Sequence, residues 1–153
     1  VAAFRLFKEE GIKPDVVAGH SVGAFAAAVA AGVISFPDAL EIVKLRGELM
    51  EKTHPTGYGM GVVLGLDTKS LREIVHEIHQ DSDPVYMSNI NAPHQITVSG
   101  SVRGLKKVME ASLQSGAQCA SMLNVSTPSH SPLLESVSTA LKRALEKVTI
   151  YPP

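Results

Sequence analysis

Residues Gly19-His20-Ser21-Val22-Gly23 lie between a short apolar run, Asp15-Val16-Val17-Ala18, and an alanine-rich run from Ala24 to Ala31. No other feature constrains the fold as tightly. An apolar run of this length reads as a buried parallel strand. The alanine-rich run reads as a helix that Gly32 ends. Between them, G-x-S-x-G sets a serine on a sharp strand-to-helix turn with its hydroxyl exposed. Glycines at 19 and 23 let backbone and helix come close around that turn. The helix N-terminus brings N–H groups and the positive dipole end beside the hydroxyl, and the Val22 N–H can point at a developing oxyanion. The competing reading is that Ser21 only caps a helix.

Around this turn the first third reads as helix-strand-helix-helix. Ala3, Leu6 and Phe7 share one face of a helix that Gly11 stops, and Ser35 with Pro37 starts a helix running to about Lys52. The middle changes character. Gly59 to Leu66 is strand-like, and Thr68 to His79 carries Leu71, Ile74, Val75 and Ile78 at helical spacing. Val85 to Ile90 and Gln95 to Ser99 read as strands about a turn at Asn91-Ala92-Pro93-His94. Val102 to Ser115 reads as a helix and Ala117 to Val125 as a last strand. The order β-α-β-β-α-β is the ferredoxin-like arrangement. The expected fold class is therefore α/β: a partial α/β-hydrolase-like domain, residues 1–56 and 126–153, interrupted by a ferredoxin-like subdomain at 57–125. The larger domain shows one clear strand, and both ends of the chain read as cuts through a longer protein.

Composition narrows the function classes. Hydrophobic residues at 44% and charged residues at 19% call for a packed core rather than disorder. A net charge of −1 gives no electrostatic case for nucleic acid or an anionic membrane. Aromatics at 5%, with no Trp, argue against base-stacking platforms. The longest apolar stretch, Ala24 to Ile34, is short of the roughly 20 residues a spanning helix needs, and no signal-peptide pattern opens the chain. Cys119 is the single cysteine, read as buried filler, so an intrachain disulfide is impossible. That fits a reducing, cytoplasmic setting. No Cys/His cluster has ligand spacing, so no metal is expected.

A nucleophilic serine needs a base. The six histidines are His20, His54, His76, His79, His94 and His130. His20 sits on the turn and should diverge from Ser21, His76 and His79 lie on a polar helix and are expected to face solvent, and His94 is in a turn. His130 is the best candidate: it follows a strand, at the mouth of the last helix, in a loop stiffened by Pro128 and Pro132. Acids between Ser21 and His130 fall on surface-facing helix positions or in turns such as Asp81 and Asp83.

The helix from Pro37 holds an arginine on its apolar side. At about 100° per residue, Ala39, Ile42, Val43, Leu49 and Met50 occupy an arc of about 120°, and Arg46 falls near its middle. A guanidinium there is costly without an anionic or hydrogen-bonding partner. It either pairs with an internal carboxylate or faces a pocket and takes a substrate carboxylate through two parallel hydrogen bonds. Snorkelling to the surface is the third option.

Together these segments resemble the malonyl-CoA:acyl-carrier-protein transacylases. The resemblance rests on Gly19 to Gly23 with Phe25 and Ala30-Ala31-Gly32, on Asp38-Ala39-Leu40 and Leu45 to Met50, on Asn89-Ile90-Asn91-Ala92-Pro93 ahead of Gln95 to Gly100, and on Pro128-Ser129-His130. It spans nearly the whole chain in the family's order. It implies Ser21 as nucleophile, His130 as its base, Arg46 on the malonyl carboxylate, and the Val22 N–H as half of an oxyanion hole. His20 and Asn91 complete the implied substrate-binding set. The family orients its histidine with a backbone carbonyl, so no third acid is required. The substrate is a CoA thioester, the acceptor is the pantetheine-type thiol of an acyl carrier protein, and no cofactor is bound.

Within the family, Ser21 to Gly32 and Tyr58-Gly59-Met60-Gly61 look most like the epsilon subunit of malonate decarboxylase, with Ala24 where the fatty-acid enzymes usually carry Glu. The partners would then include other decarboxylase subunits. Lys44, Lys52, Arg103, Lys106, Lys107, Lys142 and Arg143 are candidate contacts for an acidic carrier. The family's upstream Gly-Gln-Gly segment and the downstream segment orienting the histidine are not among these residues. The chain alone is therefore expected to be poorly active, since one oxyanion donor is worth about 10²–10³ in rate. Two alternatives stand beside this reading: an α/β-type serine esterase or thioesterase, and a non-catalytic binding module.

Overall fold

The computed structural model describes residues 1–54 and 56–152. The fold is mixed α/β. In chain order the elements are α1 (Ala2–Glu9), α2 (Gly23–Ala30), α3 (Phe36–Thr53), β1 (Tyr58–Leu64), α4 (Thr68–Ile78), β2 (Val85–Ala92), β3 (Gln95–Ser101), α5 (Val102–Gln114), β4 (Cys119–Met122), a 3₁₀ turn (Pro132–Leu134) and α6 (Glu135–Leu145). The chain divides into two compact units, Val1–Glu48 with Thr139–Pro153, and Leu49–Ser138. Both borders fall inside helices, α3 and α6, whereas the sequence suggests borders at 56/57 and 125/126.

In the first unit the described residues form helices and no strand. The strand expected at 15–19 is absent, and Val16 is 84% exposed. A strand is defined by its neighbours' backbone groups, and every described strand lies in the other unit, where it is already paired. The punctuation of the helices follows the sequence. Gly32 takes φ 77° at the end of α2, and the Val33 N–H donates back to the Ala28 carbonyl at 2.9 Å, a closure that favours a residue without Cβ. Ser35 Oγ accepts from the Asp38 N–H at 3.2 Å and donates to its carboxylate at 2.6 Å, starting α3. The Arg5 guanidinium lies 4.6 Å from the Phe36 ring centroid.

The second unit is a four-stranded antiparallel sheet in the order β2-β3-β1-β4. Period-two alternation gives β3 two different faces. Ile96 and Val98 point into a core built with Val63, Leu71, Val75, Leu105 and Val108, all buried beneath α4 and α5. Thr97, Ser99 and Ser101 occupy the opposite face and are buried as well. Buried hydroxyls need partners, and these find them: Thr97 Oγ1 meets Ser88 Oγ at 2.9 Å, and Ser101 Oγ accepts from the Gly104 N–H at 2.9 Å, capping α5.

Two polar expectations need correction. Asp83 closes the turn in which the sequence puts it, but it is buried there: it is 7% exposed and holds Arg103 and Lys107, each at 3.3 Å. Burial of a carboxylate demands such compensation, and these two cations, read from sequence as docking contacts, are engaged within the unit. His79 does not simply face solvent. It is half-buried, its Nδ1 lies 2.9 Å from the Val85 carbonyl oxygen, and its ring meets Tyr86 edge-on at 4.9 Å. No helix among the described residues is long and apolar enough to cross a membrane.

Asp67 caps α4 by accepting from the Ser70 N–H at 2.8 Å, and that bond holds its carboxyl below its ordinary value of 3.8. A depressed folded pKa contributes stability that is present above 3.8 and is lost as pH falls through the folded value. Asp67→Ala is therefore expected to lower Tm at pH 7 and to flatten the fall in Tm below pH 4, as followed by circular dichroism melts across pH.

Candidate active site

The turn before α2 carries the first element of the site. Ser21 has φ 52°, a left-handed conformation that is uncommon for a residue with a Cβ. Such conformations persist where the surroundings over-determine them, and they gather at functional sites. The determinant here is Gly19. A Cβ on it would lie 2.1 Å from the Gly23 carbonyl oxygen, so only glycine lets the incoming chain pass that close to the start of the helix. Gly23 is not held in the same way, since a Cβ there would meet nothing within 4 Å. The N–H groups of Gly23, Ala24 and Phe25 bond the carbonyls of His20, Ser21 and Val22 at 2.8–3.2 Å and close the turn.

Ser21 is not the helix cap. Val22 holds that position, and no side chain caps this end of α2. The serine hydroxyl instead accepts a hydrogen bond from Arg46 Nη2 at 3.2 Å. Arg46 therefore does what its place in the apolar arc requires: it is half-buried, Ala39 and Ile42 on the same stripe are 4% exposed, and its guanidinium reaches a polar partner. The partner is the Ser21 hydroxyl rather than an internal carboxylate. At 3.2 Å the bond is at the long end of the range, and a guanidinium has further N–H groups in the same plane. His20, next on the turn, is exposed.

The second unit holds the other residues singled out from sequence. His130 is exposed and is the second non-glycine residue with positive φ, at 59°. Its loop is tied down on both sides. Ser99 Oγ donates to the Ser129 carbonyl at 2.9 Å, Ser131 Oγ donates to the Pro128 carbonyl at 2.6 Å, and Pro128 is fully buried. Past the histidine, His54 Nε2 lies 3.1 Å from the Leu133 carbonyl oxygen, with its ring 4.2 Å from that of Tyr58. Asn91 is exposed on the irregularity of β2 between Ile90 and Ala92. Asn89 is the asparagine engaged with the sheet, its Oδ1 accepting from Thr97 Oγ1 at 3.3 Å. His54 lies in no sequence motif, and Ser99 lies in the Gln95 to Gly100 segment without a role being implied for it. The physical signal for Ser99 is the strict polar-apolar alternation from Gln95 to Ser99, which shows a second face but not what covers it. Cys119 is half-buried in β4.

The comparisons agree on one family. The family model described as the acyl transferase domain matches residues 1–153. The chain belongs to the acyl transferase domain family. It is 39% identical over 151 residues to the malonyl CoA-acyl carrier protein transacylase of Bacillus subtilis, an alignment that takes in 98% of this chain and 48% of that protein. Its fold is similar to the structure of the malonyl CoA-acyl carrier protein transacylase of Coxiella burnetii, with TM-score 0.94 and 32% identity over 99% of this chain and 48% of the other. It is likewise similar to a malonyl-transacylase solved in complex with its type II PKS acyl-carrier protein, with TM-score 0.92 and 35% identity over 99% of this chain and 50% of the other. The chain spans about half the length of the curated relatives it matches.

The two glycines of the motif should respond differently to a methyl group. Gly19→Ala forces backbone apart and is expected to cost about 1–3 kcal/mol. Gly23→Ala adds its methyl into open space and should stay within about 1 kcal/mol of the parent. Urea denaturation of the two variants checks the difference.

Proposed function

We propose that the protein moves a malonyl group from malonyl-CoA to the pantetheine-type thiol of an acyl carrier protein, through a malonyl ester on Ser21. The observation that carries this reading is the 3.2 Å contact between Arg46 Nη2 and Ser21 Oγ. In a malonyl thioester one methylene separates the free carboxylate from the carbonyl under attack. Whatever binds that carboxylate must therefore sit beside the nucleophile, and a guanidinium fork on the serine hydroxyl is so placed. A plain esterase gives no reason for a half-buried arginine at that position. The activity for which the relatives are named supports the same chemistry.

In the proposed reaction His130 takes the Ser21 proton while Oγ attacks the thioester carbonyl. The developing oxyanion is met by the Val22 N–H, which precedes the three N–H groups that the turn already uses. CoA leaves as thiol with the proton from His130. The carrier thiol then gives its proton to His130 and attacks the serine ester, and Ser21 is regenerated. Arg46 holds the carboxylate through both halves, and His20 and Asn91 complete the substrate-binding set. The buried Asp83 is committed to two cations and is no candidate for a third triad member. No bound cofactor is called for, and the reaction fits a cytoplasmic enzyme.

Two finer points belong to the same proposal. The second unit reads as a ferredoxin-like lobe, supported by its β-α-β-β-α-β order and its sheet order. The first unit reads as part of an α/β-hydrolase-like domain, supported by the tight turn at Ser21. Ala24 and the Tyr58-Gly59-Met60-Gly61 segment favour the carrier subunit of a malonate decarboxylase as acceptor over a fatty-acid carrier.

Intact-mass analysis after mixing with malonyl-CoA is expected to show a single malonyl adduct on Ser21 that Ser21→Ala abolishes. An adduct elsewhere, or none on either this chain or a protein extended at both ends, would remove the reading; an adduct on the extended protein alone would mean that the flanking segments are needed. Arg46→Ala is expected to slow malonyl loading by roughly ten- to a hundredfold, the worth of a charge-assisted hydrogen bond, with far less effect on acetyl-CoA. Equal losses on both thioesters would exclude Arg46 as the carboxylate partner.

A further inference from the structure

We infer that Ser99 and His54 are positioning residues for His130, acting through the backbone of the loop that carries it. The inference rests on the assignment of His130 as base. His130 has a left-handed backbone, φ 59°, which a histidine does not hold without help from its surroundings. The direction of its imidazole follows from that backbone, so whatever fixes residues 128–133 also aims the ring.

The bracing comes from two distant places in the same unit. Ser99 lies on β3, on the sheet face opposite the apolar core, and is 0% exposed. Its hydroxyl donates at 2.9 Å to the carbonyl of Ser129, the residue before His130 and thirty positions along the chain. A buried hydroxyl on a strand could have closed on its own sheet, as Thr97 does with Ser88 at 2.9 Å. Ser99 spends its donor on the loop instead. Beyond His130 the Leu133 carbonyl lies 3.1 Å from His54 Nε2. A carbonyl only accepts, so the Nε2 carries the proton. His54 directly follows α3 and packs on Tyr58 at the start of β1, so its ring is held from behind. Neither side chain touches the reacting atoms: each holds a carbonyl on one side of the histidine.

The role predicts a loss of rate rather than of substrate binding, because a slightly misplaced base costs roughly ten- to a hundredfold in the chemical step. It also predicts that the loss is felt only when His130 is present. The test is a double-mutant cycle on the rate of Ser21 malonylation by malonyl-CoA, measured by quenched-flow and intact mass. Ser99→Ala and His54→Phe, the latter keeping an aromatic ring against Tyr58, are each made with His130 and in a His130→Ala background. Each should slow loading about tenfold with His130 in place, with KM little changed. Neither should slow it further in His130→Ala, and Ser99→Thr should recover most of what Ser99→Ala loses. Equal slowing in both backgrounds would overturn the inference in favour of a purely structural role, and so would no slowing at all. If Ser99→Ala fails to fold, His54→Phe carries the test. If His130→Ala alone loads at the parent rate, the assignment of the base fails, and the inference with it.

Discussion

The backbone of Gly19 lies so close to the Gly23 carbonyl that no side chain fits between them, and the geometry around Ser21 depends on that approach. It turns the chain into α2 within a few residues. It leaves Ser21 at φ 52° rather than in an ordinary helical or extended conformation. A serine in that conformation is not the N-cap of the helix that follows, so its hydroxyl is available to another element. That element is α3, whose Arg46 donates to it. The turn and the arginine thus answer each other's needs: one hydroxyl displayed off the helix end, and one guanidinium on an apolar stripe in want of a polar partner.

The second unit solves a similar problem differently. His130 also takes a left-handed backbone, but the glycine nearest to it in the chain is Gly116. The loop is fixed by hydrogen bonds to three of its carbonyls, those of Pro128, Ser129 and Leu133, and by the burial of Pro128. The sheet beneath supplies the rigidity. Its helix-covered face is filled by residues such as Leu71, Ile96, Leu105 and Val108, and its other face carries the hydroxyls of Thr97, Ser99 and Ser101. One strand, β3, thereby serves a packed core with its alternate residues Ile96 and Val98 and the loop that carries His130 with Ser99 on its other face.

Much of this was legible in the residues. The helical spacing of α4 and α5, the hairpin turn (expected over Asn91 to His94, found between Ala92 and Gln95), the stop at Gly32 and the start at Ser35 follow from local rules, because each depends on neighbours a few positions away. Arg46 stood out for the same reason, as a break in a period that three or four turns of helix define. The burial of Asp83 was not legible, and His79 was misread, because their partners, Arg103, Lys107 and Val85, reach them through packing. The strand expected at 15–19 was misread in the opposite sense: the apolar run is there, but no described strand pairs with it.

What the sequence determined by itself was the set of chemical groups and their local frames: a serine between two glycines at a helix start, an arginine in an apolar arc, and a histidine between prolines. These follow from short-range sterics and helical periodicity, which are written in consecutive residues. Tertiary structure alone decided that the arginine meets the serine hydroxyl rather than a carboxylate. It also decided that a buried serine on β3 holds the loop before the histidine, and that the histidine after α3 holds the loop beyond it. Each of those contacts joins residues 25 or more positions apart. Hydrogen bonds of that span depend on how whole elements pack, and no local pattern in the chain encodes them.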